Sequence, residues 1–379
     1  FFSSRRRHTR YISVTGVQTC ALPISTTQSE RKTAYIHAVC SELEMRKEYL
    51  GGETIETIYW GGGTPSQLDK EDFETIFYYL HKNYSISSHP EITLEANPDD
   101  LTPDYIAMLR TLPFNRLSMG IQTFNESILK VLQRRHTARQ AIEAFQNCRA
   151  AGFQNISIDL MYGLPGETLS TWQQDLDQAL LLHPEHLSAY HLIYEEDTVL
   201  WKLREQHKVE EADEDLSVSL FSTLIDRLTS EGYDHYEISN FSLPGLYSRH
   251  NSSYWTEKKY LGCGPSAHSY NGVSRQWNVA SLDTYIKGIS AGTPVFEIEE
   301  LDLYTRYNDF VITRIRTEWG MPLSKLRDEF GEKLYDYCLR MAAPHLKQGT
   351  LELVNDILKL TRKGIFISDG IMSDMLWTD

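Results

Sequence analysis

The stretch IETIYWGGGTPS, Ile55–Ser66, decides how the chain reads: a run of β-rich residues passes directly into three glycines and a Thr-Pro pair. Glycines after a strand let a backbone approach a ligand without Cβ interference, and their N–H groups are free to meet an anion or carboxylate. A flexible turn between strand and helix would satisfy the same sequence. No Gly-Lys-Ser/Thr follows and the spacing is not G-x-G-x-x-G, so neither a phosphate-cradling loop nor a dinucleotide fingerprint is present.

Working outward, the same alternation recurs. Strands are predicted over Ile55–Trp60, Ile92–Ala96, Arg116–Ile121, Ile156–Met161, Leu187–Ile193 and His235–Ile238. Helical patterns lie between them, near Lys70–Lys82, Pro103–Leu112, Ala138–Ala151, Leu169–Leu182 and Asp215–Glu231, with Gly152 and Gly232 as stops. Strand-helix alternation implies an α/β fold with a parallel sheet and right-handed crossovers. That leaves a doubly wound sheet or a (β/α) barrel, complete or partial. Polar or glycine-rich segments follow almost every strand: WGGGTP, EANP, GIQTF, DLMYGLP, YHLIYEE and YEISNF. Barrels gather their sites at the C-terminal ends of many strands, whereas a dinucleotide fold concentrates its signature in the first turn. The decorated ends favour the barrel.

Beyond Phe241 the pattern changes. The segment PGLYSRHNSSYWTEKKYLGCGPSAHSYNG reads as an irregular, packed connection. From Tyr304 come helical stretches (Arg306–Thr317, Leu323–Phe330, Leu334–Leu346), then LELVNDILKL, a hairpin turning at Asn355–Asp356, then a last helix. The expectation is a small helical, winged-helix-like unit that packs or binds a partner.

With 379 residues and a net charge of -15, the chain lacks the broad basic face that nucleic-acid binding needs. No apolar run approaches the roughly 18 residues of a membrane span. Five cysteines, at 20, 40, 148, 263 and 338, show neither C-x-x-C spacing nor an even framework, so a cytoplasmic location is expected.

Single residues at the strand ends carry possible chemistry. Glu95 and Asp159 are placed to clasp vicinal ribose hydroxyls or an amine, or else to pair with a nearby arginine. Gln122 offers both donor and acceptor. Arg134 presents a planar fork for a carboxylate, or is one more solvated helix residue.

As a set, GGGTP, EANP, GIQTF, the RR at 134–135 and DLMYGLP resemble the radical S-adenosylmethionine enzymes. More closely they resemble the branch of oxygen-independent coproporphyrinogen III oxidases and HemW-type heme chaperones. The resemblance runs from about Ser25 to the C-terminus. It implies a partial, TIM-like (β/α) barrel followed by a smaller C-terminal helical domain. On this basis four segments are expected: 1–24, 25–241 as barrel core, 242–303 as connection, and 304–379 as C-terminal domain. The resemblance puts Gly62, Gly63 and Thr64 on the methionine part of S-adenosylmethionine. Glu95, Gln122, Arg134 and Asp159 would line its ribose and amino-acid ends, and Ile193 the adenine. HNSSYW, His250–Trp255, fits the chaperone pattern and implies heme contact by His250, Tyr254 and Trp255, with His268 a weaker candidate. The function implied is delivery of heme to acceptor proteins, a membrane-associated acceptor included; the alternative is porphyrinogen decarboxylation.

The family's C-x-x-x-C-x-x-C loop, whose thiolates hold a [4Fe–4S] cluster, does not occur in this sequence. Where it and a first strand are expected stands SSRRRHTRYISVTGVQTCALPIS, with four arginines and no acid. A presequence would precede the first strand, not replace it. VTGVQTCALPI, Val14–Ile24, equals the translation of a common short-read sequencing adapter, and residues 1 to about 24 are expected to be non-native. A chain so composed is expected to bind no cluster at this position, to be catalytically impaired, and to leave an unpaired sheet edge.

Overall fold

The computed structural model describes residues 29–378 apart from 197, so the expectations for the opening stretch lie outside the described residues. Five strands, β1 (Ile55–Trp60), β2 (Ile86–Ala96), β3 (Arg116–Gln122), β4 (Ile156–Tyr162) and β5 (His186–His191), pair in parallel in chain order. The predicted sixth strand forms as β6 (Asp234–Glu237), but it does not join β5. Another strand, β7 (Asn240–Ser242), folds back between them, antiparallel to both. Alternation predicted only the strand-helix-strand repeats; this hairpin is too short to register in it. Among the described residues β1 pairs only with β2.

Parallel strands buried on both faces read as continuous apolar runs. These strands alternate instead, and the alternation gives the curled, half-barrel sheet two unlike faces. Outward point Leu94, Leu117, Met119, Ile121, Ile156, Ile158, Leu160 and Leu187, all in the apolar core beneath the crossover helices. Inward, at the alternate positions, are Thr57, Tyr59, Thr93, Glu95, Arg116, Ser118, Gly120, Ser157, Asp159, His186 and Ser188. The inner face is therefore a polar lumen.

Helix ends are fixed locally. Asp69, Thr137 and Thr168 each close a capping box at the start of Lys70–Asn83, Ala138–Ala150 and Leu169–Leu181. Under the first crossover, Trp60, Phe73, Phe77 and Phe114 form an aromatic cluster with ring centroids 5.0–5.9 Å apart. Burying side chains of this size contributes about 1.5–3 kcal/mol each.

The 242–303 region is more ordered than its sequence suggested. HNSSYW lies on a helix, Arg249–Trp255, begun by the Ser248 hydroxyl. It is followed by an antiparallel sheet of β8 (His268–Tyr270), β9 (Ser274–Asn278) and β10 (Phe296–Glu300). Buried Glu42, on helix Ser29–Met45, ties this sheet to the barrel: it accepts from Gly264 N–H (2.9 Å), Asn278 Nδ2 (2.8 Å) and Tyr285 Oη (2.6 Å). Such long-range polar ties leave no periodicity in a sequence.

The C-terminal unit has its own apolar core, built on helices Leu303–Ile315, Leu323–Gln348 and Ser368–Met375. The long helix breaks at Gly331 (φ 80°), between the two predicted stretches. The hairpin β12 (Leu351–Val354) and β13 (Ile357–Leu360) turns at Asn355 (φ 49°) and Asp356 (φ 69°), with β11 (Met321–Pro322) beside it. No helix among the described residues is long and apolar enough to cross a membrane.

Candidate functional site

The C-terminal ends of β1–β4 form one rim. After β1 the chain turns through Gly62 (φ 83°), whose N–H donates to Glu95 Oε2 at 3.0 Å, while Tyr59 Oη donates to Glu95 Oε1 at 2.6 Å. Gly61 leaves room for this arrangement: a Cβ there would stand 2.7 Å from the Glu95 carboxylate and 2.5 Å from the Tyr59 ring, and one of them would have to shift. Gly63 is exposed at the lip, and Thr64 begins the short turn Pro65–Gln67. Burial raises the Glu95 carboxyl above its ordinary range, and its two hydrogen bonds oppose the rise.

Gln122 ends β3 with φ 72°, a backbone region uncommon for a residue with a side chain. Thr123 N–H reaches back to the Ile121 carbonyl at 3.0 Å, making Gln122 the centre of a strained γ-turn. The turn is held from three sides. Asp175, buried on helix Leu169–Leu181, accepts from Thr123 Oγ1 at 2.5 Å and from Phe124 N–H at 2.8 Å. His136 Nε2 lies 3.1 Å from the Ile121 carbonyl. Arg134 Nη2 donates to the Gly120 carbonyl (2.8 Å) and to Asn97 Oδ1 (2.7 Å), joining the ends of β2 and β3.

Asp159 stands beside Gly120 across the β3–β4 ladder and accepts from Ser118 Oγ at 3.2 Å. Burial, and then the Glu95 charge, push its carboxyl up to about 6. Thus Gly62, Glu95, Gln122, Arg134 and Asp159 share one rim. Ile193 is two residues past β5, 65% exposed and outside the strand predicted to carry it.

A cavity of about 970 Å³ runs along β1, between it and the segment 249–263. Its walls include Tyr59, His250, Tyr254 and His268. His250 stacks on Tyr59 (4.6 Å between centroids), lies 2.9 Å from Thr57 Oγ1 through Nδ1 and 2.7 Å from Tyr254 Oη through Nε2. Burial and the Arg116 charge push its imidazole down to about 3, so it is neutral. Glu91 accepts the N–H groups of Arg249 and His250 and so anchors this helix beneath the lumen. Trp255 is elsewhere: it is buried under the Arg316 guanidinium, 4.2 Å from its ring, and does not line the cavity.

Tyr59, Glu91, Arg116, His136 and Asp175 were not singled out from the sequence. Arg116 had a signal, being in phase with Ser118, Gly120 and Gln122 on β3; Asp175, on a crossover helix, had none.

A curled half-barrel parallel sheet is the radical S-adenosylmethionine architecture, and here a separate helical C-terminal unit follows it. The Radical SAM superfamily model matches residues 20–179 and the HemN C-terminal domain model residues 301–367. The solved coproporphyrinogen III oxidase (HemN) of Escherichia coli superposes with a TM-score of 0.80 over 95% of this chain and 86% of that one, at 22% identity, a likeness of fold. The heme chaperone HemW of Mycobacterium tuberculosis (strain CDC 1551 / Oshkosh) is 32% identical over 90% of this chain and 86% of its own length. That of Bacillus subtilis (strain 168) is 30% identical over 92% and 93%. The chain belongs to the HemW family of the radical SAM superfamily.

Proposed function

We propose that this chain is a heme chaperone, binding heme and S-adenosylmethionine and passing heme to acceptor proteins in the cytoplasm. Two relatives that it matches over most of their length are named for that role. The observation that carries the reading at the level of residues is the junction of rim and cavity. Tyr59 donates to Glu95 on one side and stacks on His250 on the other.

The rim fits S-adenosylmethionine. Gly62, Gly63 and Thr64 would meet its methionine part through backbone groups, Gln122 and Arg134 its carboxylate end, Glu95 and Asp159 its ribose and amine, and Ile193 its adenine. Bound there, it would bring a sulfonium cation. Two carboxyls whose proton affinity is raised by burial, and for Asp159 also by the Glu95 charge, gain from a nearby positive charge.

The cavity wall fits heme. A neutral imidazole is a good axial ligand, and Tyr59 and Tyr254 offer ring faces to a porphyrin. His250 would release Tyr254 Oη from Nε2 to reach iron. Trp255 would support this helix from behind and not touch the ligand.

The described residues do not fit an iron–sulfur cluster. Among them no group of three His, Cys, Asp or Glu could hold a metal ion. Cys40, Cys148 and Cys338 are scattered and buried, and burial pushes their thiols up to about 11, 12 and 11. The proposed role on this chain is therefore binding and delivery, with protein acceptors, membrane-associated ones included, and no nucleic acid.

Hemin titration tests the reading. Saturable Soret change in the full chain, weakened about tenfold or more by His250→Ala but not by His268→Ala, is the expected result. A His250→Ala titration superposing on the parent's would refute the assigned contact. Conversion of coproporphyrinogen to protoporphyrinogen at turnover rates would replace the chaperone reading with the oxidase.

A further inference from the structure

The inner face has a base that the rim does not use. Thr93 on β2 pairs in register with Arg116 on β3. Arg116 precedes Leu117, whose partner on β4 is Ile156, so Asn155 is next in the same row. Their neighbours Leu94, Leu117 and Ile156 are fully buried in the outer core, and alternation turns Thr93, Arg116 and Asn155 inward. Each carries a buried polar atom without a hydrogen-bond partner: Thr93 Oγ1, Arg116 Nε and Asn155 Oδ1.

Arg116 is the unusual member. It is 1% exposed, and among the described residues no carboxylate forms an ion pair with it. Guanidinium cannot shed its proton, and a buried charge without a counter-charge is costly. Other buried arginines here are compensated: Arg46 by Glu42, and Arg316 by Glu237. Of the groups close to Arg116, Asp159 feels its charge but forms no ion pair with it, and the others do not compensate it. His186 is held between Ser157 Oγ (2.8 Å) and Tyr236 Oη (2.6 Å), and His250 between Thr57 and Tyr254; both imidazoles are kept neutral by burial and by the arginine itself. Glu95 is committed to Tyr59 and Gly62, and Asp159 to Ser118.

Exposure rises along β3, from buried Arg116 and Ser118 to half-buried Gly120 and Gln122. The lumen is therefore closed at its base and more open at the rim. We infer that the base of the lumen is a carboxylate-binding site, in which the Arg116 fork and the Thr93 hydroxyl donate to one carboxylate group. A planar carboxylate matches the fork's paired donors. The Asn155 amide, turned about its last bond, adds Nδ2 as a further donor. The carboxylate is either that of a small free acid or the side arm of a larger ligand seated at the rim.

The test uses the full chain and names both sources. Thermal unfolding is followed at pH 7 and fixed ionic strength while chloride is exchanged for formate or acetate. The expected result is a saturable rise in Tm with the carboxylates, lost in Arg116→Gln. Arg116→Lys, which keeps the charge without the fork, retains only part of it. Thr93→Val, nearly isosteric and so a check that does not depend on Arg116→Gln folding, raises the half-saturating concentration about tenfold, the loss of one charge-assisted hydrogen bond. For the side-arm source, hemin is compared with its dimethyl ester, an arm that rests on the heme reading above, whereas the formate arm does not. Tighter binding of the free acid, reduced by Thr93→Val and Arg116→Lys, also supports the site. Equal Tm in chloride, formate and acetate, together with equal binding of hemin and its ester, overturns it. So does a carboxylate response unchanged in Thr93→Val and Arg116→Lys.

Discussion

Asp175→Asn gives the sharpest test of how the rim is built. Gln122 occupies a backbone conformation that costs about 1–3 kcal/mol, and such strain persists only where the surroundings over-determine it. Asp175 supplies that constraint through Thr123 Oγ1 (2.5 Å) and Phe124 N–H (2.8 Å) from a position only 4% exposed. Hydrogen bonds to a charged acceptor contribute about 1.5–3 kcal/mol each. Asparagine keeps one carbonyl acceptor and turns an N–H₂ toward the second donor, so the variant should lose about 2–3 kcal/mol. That approaches the strain, so the turn should open before the fold does. Amide hydrogen exchange at Thr123 and Phe124 should accelerate about 30- to 150-fold, with much smaller changes on β4 and β5. Affinity for S-adenosylmethionine, measured by calorimetry, should fall in Asp175→Asn and in Gln122→Ala. The double variant should be no weaker than Gln122→Ala, because Asp175 acts through Gln122. Additive losses would refute the positioning role. No loss in Gln122→Ala would instead refute the ligand reading.

Further consequences can be checked separately. Gly61→Ala should expel the Glu95 carboxylate from its bonds with Tyr59 and Gly62 and weaken adenosyl-ligand binding at least tenfold, while Gly51→Ala, with no neighbour within 4 Å of a Cβ but a φ of 64°, should affect stability alone. Asp159 and Glu167, with carboxyls pushed up to about 6 and about 7 mainly by burial, bind protons more tightly folded than unfolded. Stability should therefore be greatest below about pH 4 as far as these groups are concerned, and decline toward pH 7 by on the order of 3 kcal/mol for each. Urea midpoints against pH should show a shallower decline in Asp159→Asn, and an unchanged slope would contradict the assignment. Arg316→Ala should leave Glu237 charged and buried where the C-terminal unit meets the sheet, costing about 3–5 kcal/mol; a Glu237→Gln/Arg316→Met pair should recover most of it in a denaturation experiment.

The parts legible in the sequence are those that repeat locally. A strand running into glycines at Ile55–Gly63, repeated strand-helix spacing, capping residues and the Asn355–Asp356 turn all act through neighbours within a few positions. They determined the α/β class, the crossover helices and the C-terminal wing and favoured a barrel; that the barrel is partial came from the family resemblance. The order of motifs at the strand ends also marked Glu95, Gln122, Arg134 and Asp159, since a parallel sheet brings the same end of every strand to one edge.

The tertiary structure alone decided what depends on contacts between distant segments. It folded β7 in beside β5, moved HNSSYW onto a helix, and parted Trp255 from His250, with which the motif had grouped it. It also exposed the reliance of Gln122 on Asp175, and a buried guanidinium in the lumen with no ion-pair partner among the described residues. Hydrogen bonds and charges act over ångströms of space, not along the chain. A residue's partner more than fifty positions away leaves no periodic trace in the sequence, and only the folded sheet reveals it.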